Sequence, residues 1–327
     1  MRSVFCELDS FNIDKVDTVY IGGGTPTSLC DDDFESLLKK ASSYLSSNYE
    51  FTVEANVENL SDTKLEIMSK YGVNRLSIGV ESTKETTLKL FNRHHTFLEA
   101  QEAIKKAREH RITNINVDLI YGYKGQTIDD LKEDLDNLIK LDTPHISIYS
   151  LTIHKGTMMG NNKLQEQNQD DSRLFYDAIL ATMRRHSYTR YEISNFAKPG
   201  FESKHNQTYW KNKQYYGIGL GASGYVGNIR YTNTKNLNEY CSGHYIKESE
   251  TVNDNDFLEY YIMLNLRLEK GFNREEFKEL FNYDLYEAKK AVFDRLIVND
   301  LCVVDENIRL TDNGLIIMDS ILLDLLD

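Results

Sequence analysis

Two rhythms of apolar and polar residues take turns over the first half of this chain. Short β-branched or apolar runs occupy 17–22, 50–55, 75–80, 115–121 and 145–150, each of a length that suits a strand. Between them the apolar residues recur at helical spacing. Phe34, Leu37, Leu38, Ala41 and Leu45 share one helical face, and Leu65, Met68 and Tyr71 share another that Gly72 closes. Thr127 and Asp130 form a capping box ahead of Leu131, Leu135 and Leu138. Strand, helix, strand in this order predicts parallel βα units, which a doubly wound sheet and a partial barrel satisfy equally. Past residue 250 the rhythm is helical, over 256–268, 274–281 and 288–300. Residues 301–310 then read as a hairpin turning at Asp305, Glu306 and Asn307, ahead of a last helix.

Composition narrows the class without naming a function. With 327 residues the chain is long enough for about two domains, and its 27% charged and 40% hydrophobic residues are those of an ordinary globular protein. The net charge of -13 argues against nucleic acid or an anionic membrane as main partner, since both need clustered Lys and Arg. Four scattered cysteines, Cys6, Cys30, Cys241 and Cys302, suit a reducing compartment. No apolar run approaches the length of a membrane span, and the expected location is cytoplasmic. The helix-helix-strand order near the end resembles a winged helix. Its helices are not markedly basic, which leaves packing or substrate cover as its role.

The most informative local feature is Val19-Tyr20-Ile21-Gly22-Gly23-Gly24-Thr25-Pro26-Thr27, a strand that breaks into three glycines and a Thr-Pro turn. Consecutive glycines leave backbone N–H and C=O groups without side-chain cover, so a small polar ligand can lie against the main chain there. Further polar residues stand at the carboxyl ends of later strands: Glu54 and Asn56, Glu81 and Ser82, and Asp118. In a βα barrel that is the end where ligands bind.

These motifs carry a family resemblance. The GGGTP segment, Glu54-Ala55-Asn56, NRLSIGVES over 74–82, Arg93 to Thr96, DLIYGYKGQT over 118–127, HISIYSLTIHKGT over 145–157 and YEISNFA over 191–197 resemble, in order and spacing, the radical S-adenosylmethionine (SAM) proteins grouped with oxygen-independent coproporphyrinogen III oxidase. The resemblance implies an α/β fold: a partial (β/α) barrel of radical SAM type, lacking its first strand, with a C-terminal helical or winged-helix-like domain. It divides the chain into a partial barrel at 1–150, an extension at 151–245 and a helical domain at 246–327. It also implies that Gly23, Gly24 and Thr25 meet the methionyl amine and carboxylate of SAM, that Arg93 meets the carboxylate, and that Glu54, Glu81 and Asp118 meet the ribose and adenosyl portions. Read without the resemblance, Glu54 and Asp118 are equally well explained as strand-end acids satisfied by water or a helix N-terminus.

Departures from the family pattern matter as well. Glu81 stands where Gln is usual, Val57 where Pro is, Asn92 where Gly is, Lys124 and Lys155 where Pro is, and His154 where Glu is. The exchange of Gln for Glu adds a charge beside Glu54 and Asp118. The family holds a [4Fe-4S] cluster through Cys-x3-Cys-x2-Cys upstream of GGGTP, and no two cysteines here stand at that spacing. The expectation is a chain that begins after its own cluster loop, through a start placed at an internal Met or a truncated gene. Whether the chain is an enzyme is thereby left open, and no catalytic residue is singled out.

Two further segments carry patterns of their own. Tyr215 to Val226 reads YYGIGLGASGYV and suits a closely packed strand turn. Lys204 to Trp210 reads KHNQTYW, and its H-N-x-x-Y-W resembles the motif of the family's heme chaperone (HemW-type) branch. That branch implies heme as a cofactor held by His205, with Tyr209 and Trp210 against the porphyrin, and heme-accepting proteins as partners. Taken alone, the same residues read as a turn capped by His205 and Asn206, with Trp210 in the core. The alternatives are oxidative decarboxylation of coproporphyrinogen III and an inactive remnant.

Overall fold

A computed structural model describes residues 1–153, 165–167 and 169–326. His154 and Lys155 lie outside the described residues. The chain packs as two compact units: Asp14–Arg190 with Ser194–Ser203, and Met1–Ile13 with Tyr191–Ile193 and Lys204–Asp327.

The first unit is built on a seven-stranded sheet. Its strands are β1 (Val16–Ile21), β2 (Leu45–Asn56), β3 (Arg75–Glu81), β4 (Asn114–Tyr121), β5 (His145–Ser150), β6 (Thr189–Arg190) and β7 (Asn195–Ala197), side by side in the order β1-β2-β3-β4-β5-β7-β6. β1 to β5 are parallel in chain order, and β7 returns antiparallel to both β5 and β6. A doubly wound sheet reverses its strand order at a switch point, and this one never reverses across β1 to β5. The order is that of a partial barrel.

Side chains alternate across each strand, so the sheet has two faces of opposite character. Phe51, Val53, Leu76, Ile78, Ile115, Val117 and Ile146 are fully buried and form one core with Phe34, Leu38, Leu65, Met68, Ile104, Leu131 and Leu135 from the helices. Those helices are Asp31–Ser42, Asp62–Lys70, Phe97–Glu109 and Ile128–Lys140. The expected Thr127 and Asp130 box caps the last of them, and Thr96 with Glu99 caps the third in the same way. Gly72 takes φ +79 just past the second, the left-handed turn that glycine tolerates best. Leu45, expected on the first helical face, instead opens β2. The helix stops at Ser42 because the Ser42 and Ser43 hydroxyls donate back to the Lys39 and Lys40 carbonyls.

In the second unit the helix Arg2–Ser10 is fixed by a buried carboxylate. Glu7 accepts from Asn233 Nδ2 at 2.5 Å, from the Gly219 N–H at 2.8 Å and from the Tyr240 hydroxyl. A three-stranded sheet joins β8 (Ser223–Val226), β9 (Ile229–Asn233) and β10 (Ile246–Thr251). The glycine-rich segment is closely packed, as expected: a Cβ on Gly217 would lie 1.9 Å from the Ser223 carbonyl oxygen. Beyond it, β11 (Phe272–Asn273), two helices Arg274–Phe281 and Lys290–Val298, and the hairpin β12 (Cys302–Val304) with β13 (Asn307–Leu310) follow the order of a winged helix. The helical run expected over 288–300 is divided into Leu285–Ala288 and Lys290–Val298, with Lys289 off helical geometry between them.

The fold yields a direct stability forecast. Phe51 is 0% exposed between β1 and β3, so Phe51→Ala should cost about 3–5 kcal/mol in chemical denaturation. Leu98 is 74% exposed on a helix of the same unit, and Leu98→Ala should change stability by less than about 0.5 kcal/mol. Equal costs for the two would contradict the assignment of the core.

Candidate functional site

The face of the sheet opposite that core is polar, and its groups bond to one another. Asn116 is the hub: its Nδ2 donates to Ser77 Oγ at 2.8 Å and to Asp118 Oδ1 at 2.7 Å. Its Oδ1 accepts from Ser147 Oγ at 3.0 Å and from His145 Nδ1 at 2.6 Å. Burial, with the Arg75 guanidinium as second cause, holds His145 well below the ordinary imidazole range. It is therefore a neutral donor. Arg75 lies two residues before Ser77 on the same face and is 2% exposed.

Toward the carboxyl ends of β1 to β4 this face opens into a ring of charged and glycine residues. Glu54 on β2 accepts from the Tyr20 hydroxyl at 2.6 Å and from the Gly23 N–H at 3.1 Å. A Cβ on Gly22 would fall 2.6 Å from the Glu54 carboxyl carbon, so only glycine lets the two approach. Gly23 takes φ +96, and a Cβ on Gly23 or Gly24 would meet nothing within 4 Å, which leaves that backbone open to a ligand. Asn56 Nδ2 donates to Thr25 Oγ1 at 3.2 Å, tying the end of β2 to the glycine turn. Burial, and then the Glu54 carboxylate, push the Tyr20 phenol far above its usual range.

Glu81 ends β3 with φ +64, and the register between β3 and β4 shifts just before it. Its carboxylate pairs with Arg93: Nε donates to Oε2 at 2.7 Å and Nη2 to Oε1. The turn that delivers Arg93 is firmly held. Asn92 takes φ +57, a left-handed conformation that Asn tolerates in place of Gly. His95 is buried beneath it, with Nδ1 3.2 Å from Glu58 Oε1 and Nε2 3.2 Å from the Val80 carbonyl. Burial pulls the Arg93 guanidinium down, and the contact with Glu81 outweighs it and raises it.

Asp118, expected at the end of its strand, stands inside β4, opposite Ser147 of β5. It is half-buried, and burial pushes its carboxyl up to about 6. Hydrogen bonds from Asn116 and Ser147 oppose that rise, and Glu54 and Glu81 add to it. The expected residues Gly23, Gly24, Thr25, Glu54, Glu81, Arg93 and Asp118 are thus brought to one end of one face. Asn56 joins them from the end of β2. Tyr20, His145 and Ser147, which lie within the motif segments without an expected role, and Asn116, which lies outside them, extend the same face, and the strand parity they share with Glu54 and Asp118 is the signal that finds them.

In the second unit, His205 lies on the helix Lys204–Trp210, none of whose residues is buried. Its Nε2 is 2.7 Å from the Tyr209 hydroxyl, and the rings meet edge to face at 5.0 Å. Tyr209 in turn packs edge to face on Tyr215 at 4.6 Å. Trp210 is half-buried, with the Arg267 guanidinium 5.7 Å from its ring, so the reading of a core tryptophan does not hold. His205 and Asn206 lie within a helix and not in a capped turn.

The cysteines form no metal centre: Cys6, Cys30 and Cys241 are exposed and Cys302 is buried, all as free thiols. Among the described residues no group of three or more His, Cys, Asp or Glu gathers to hold a metal ion. The donor set of a [4Fe-4S] cluster is not met by these residues. No described helix is long and apolar enough to cross a membrane.

With this geometry in place, the comparisons with known proteins agree with one another. A profile of the radical SAM superfamily matches residues 5–138, and one of the HemN C-terminal domain matches residues 252–317. The heme chaperone HemW of Lactococcus lactis subsp. lactis is 35% identical over 324 residues, 96% of this chain and 86% of that protein. The heme chaperone HemW of Bacillus subtilis is 37% identical over 283 residues, 82% of this chain and 74% of that protein. The solved structure of coproporphyrinogen III oxidase (HemN) from Escherichia coli, a radical SAM enzyme, has the same fold: a TM-score of 0.85 at 19% identity, over 99% of this chain and 81% of that one. The radical SAM family implies S-adenosylmethionine and a [4Fe-4S] cluster. By sequence over nearly its whole length, the chain belongs to the HemW family of heme chaperones, with a radical SAM domain and a HemN C-terminal domain.

Proposed function

We propose that this chain binds heme through His205, passes it to acceptor proteins, and holds S-adenosylmethionine at the carboxyl ends of β1 to β4. The observation that carries the heme reading is the setting of His205. The imidazole stands on a surface helix with a tyrosine fixing its ring and a half-exposed tryptophan five residues on. Imidazole is a common axial ligand of heme iron, and aromatic side chains such as Tyr209 and Trp210 suit the face of a porphyrin. A histidine kept only for folding would normally be buried and bonded to backbone, as His95 is.

For the adenosyl ligand, the open backbone of Gly23 and Gly24 with Thr25 would take the methionyl end, and Glu54 and Asp118 the ribose hydroxyls and ammonium. Carboxylate groups suit hydroxyl and ammonium partners. The fit rests on the room beside Gly23 and Gly24, on Glu54 bonded to the Gly23 N–H, and on Asp118 near enough to Glu54 and Glu81 to feel their charge. When bound, S-adenosylmethionine supplies an adenosyl sulfonium. The cluster that would reduce it finds no ligand set among the described residues.

Heme addition to the purified protein should give a shifted Soret band that His205→Ala abolishes or alters. Because no residue of that helix is buried, the same variant should melt within a degree or two of the parent. An unchanged Soret band with a lowered melting temperature would make His205 a folding residue.

Asp118 gives a pH signature. Its value of about 6 in the folded chain lies above the ordinary carboxylate range, so the folded chain holds that proton more tightly than the unfolded one. The carboxyl therefore costs stability as pH rises through about 6. A cationic adenosyl ligand pairs with the ionised form, of which roughly a tenth is present at about pH 5 and nearly all at about pH 7.5. Such a ligand should bind about tenfold tighter at the higher pH. Calorimetry should show this rise for the parent and a flat profile for Asp118→Asn. A rise of the same size in both would remove Asp118 from the pocket.

A further inference from the structure

Arg93 supplies positive charge to the ring, and that charge already has a partner. Its Nε and Nη2 meet both oxygens of Glu81, a bidentate pair in which the carboxylate side chain is 8% exposed and the guanidinium 25%. Neither member is free to leave. Glu81 is aimed by its left-handed backbone and the irregular register at the end of β3. Arg93 is delivered by a turn whose own N–H bonds to the Leu88 carbonyl at 2.8 Å, and which His95 and Glu58 hold from below. The Glu58 carboxylate also accepts the His94 N–H at 3.0 Å, so the whole segment from 93 to 95 is tied down.

This pairing changes what the ring can recognise. A ligand carboxylate that engages Arg93 must either displace Glu81 or lie against it. Displacement strands a nearly buried carboxylate without its counter-charge, and co-occupancy puts two like charges on one guanidinium. A glutamine at position 81 would offer only a neutral amide and leave Arg93 a net cation. With Glu81 and Arg93 neutralising each other, Glu54 and Asp118 outnumber the one further cation of the face, Arg75 at the far end of β3, and the net negative balance favours a ligand of net positive charge.

Resting on the adenosyl reading above, we infer that this pocket prefers an adenosyl sulfonium whose tail carries an amine and no carboxylate, and that Glu81 sets the preference. The ligand class is an aminoalkyl adenosyl sulfonium, and decarboxylated S-adenosylmethionine is its simplest probe. It differs from S-adenosylmethionine by the carboxylate alone. The change in the ratio of the two affinities when residue 81 is altered therefore reports the Glu81 and Arg93 pair, whatever else holds the ligand.

The test is calorimetric titration of the full chain with each compound. The parent should bind the decarboxylated compound about tenfold more tightly than S-adenosylmethionine, the factor for roughly one disrupted charge-assisted contact. Glu81→Gln, nearly isosteric, should bring the two affinities level or reverse their order. Arg93→Gln, a second variant, leaves Glu81 unneutralised and should widen the parent's ratio further. A parent that prefers S-adenosylmethionine, or a ratio that neither variant moves while both compounds bind, overturns the role of Glu81. Failure of the pocket itself looks different: neither compound binds the parent or Glu81→Gln, or Asp118→Asn leaves both affinities unchanged. That outcome removes the adenosyl reading and the inference with it.

Discussion

The burial of one face of β1 to β5 under five helices, the fifth being Gln169–Arg185 with its Phe175, Ile179, Leu180 and Met183, is the constraint on which the first unit depends. Because successive side chains point to opposite faces, placing Phe51, Val53, Leu76, Ile78 and Val117 in the core sends Glu54, Ser77 and Asn116 to the other side. Ser77 and Asn116 are buried there as deeply as the apolar residues and need partners close at hand. The Asn116 hub, the neutral His145 and the Tyr20 to Glu54 bond are the result. A slip of one residue in any of these strands would exchange the two faces and cost both the core and the network.

The same constraint produces the site. Near the carboxyl ends the neutral network gives way to acids, glycine backbone and one turn-borne arginine, paired among themselves and with the face below. Asp118 shows the tension directly, since burial among neighbouring acids raises it to about 6. A raised Asp118 and left-handed backbone at Glu81 and Asn92 cost stability and persist where the surrounding structure enforces them. His205 in the second unit solves a different problem. It keeps an imidazole on a surface helix, oriented by Tyr209.

Much of the first unit was legible because its strands obey simple periodicity. β5 matches its expected span residue for residue, and β3 and β4 differ by a residue at one end. β2 begins earlier than its apolar run because Ser46, Ser47 and Asn48 are polar and extend it past the core. β6 and β7 are two and three residues long, too short for any period to register. The site residues were legible as motifs, and their partnerships were not. Nothing in the spacing of Glu81 and Arg93 shows that the helix Glu85–Leu90 folds the chain back to pair them, or that Tyr20 reaches Glu54 from a neighbouring strand. Trp210, which composition alone would send to a core, lies half-exposed because its helix has no buried face.

An adenosyl ligand at the carboxyl end of β1 to β4 is tested most directly by diffraction from crystals grown with decarboxylated S-adenosylmethionine. Difference density for the adenosyl group is expected against Gly23 and Gly24, within hydrogen-bond reach of Glu54 and Asp118. Density for the ligand at any other place, with only water against those four residues, would contradict the assignment.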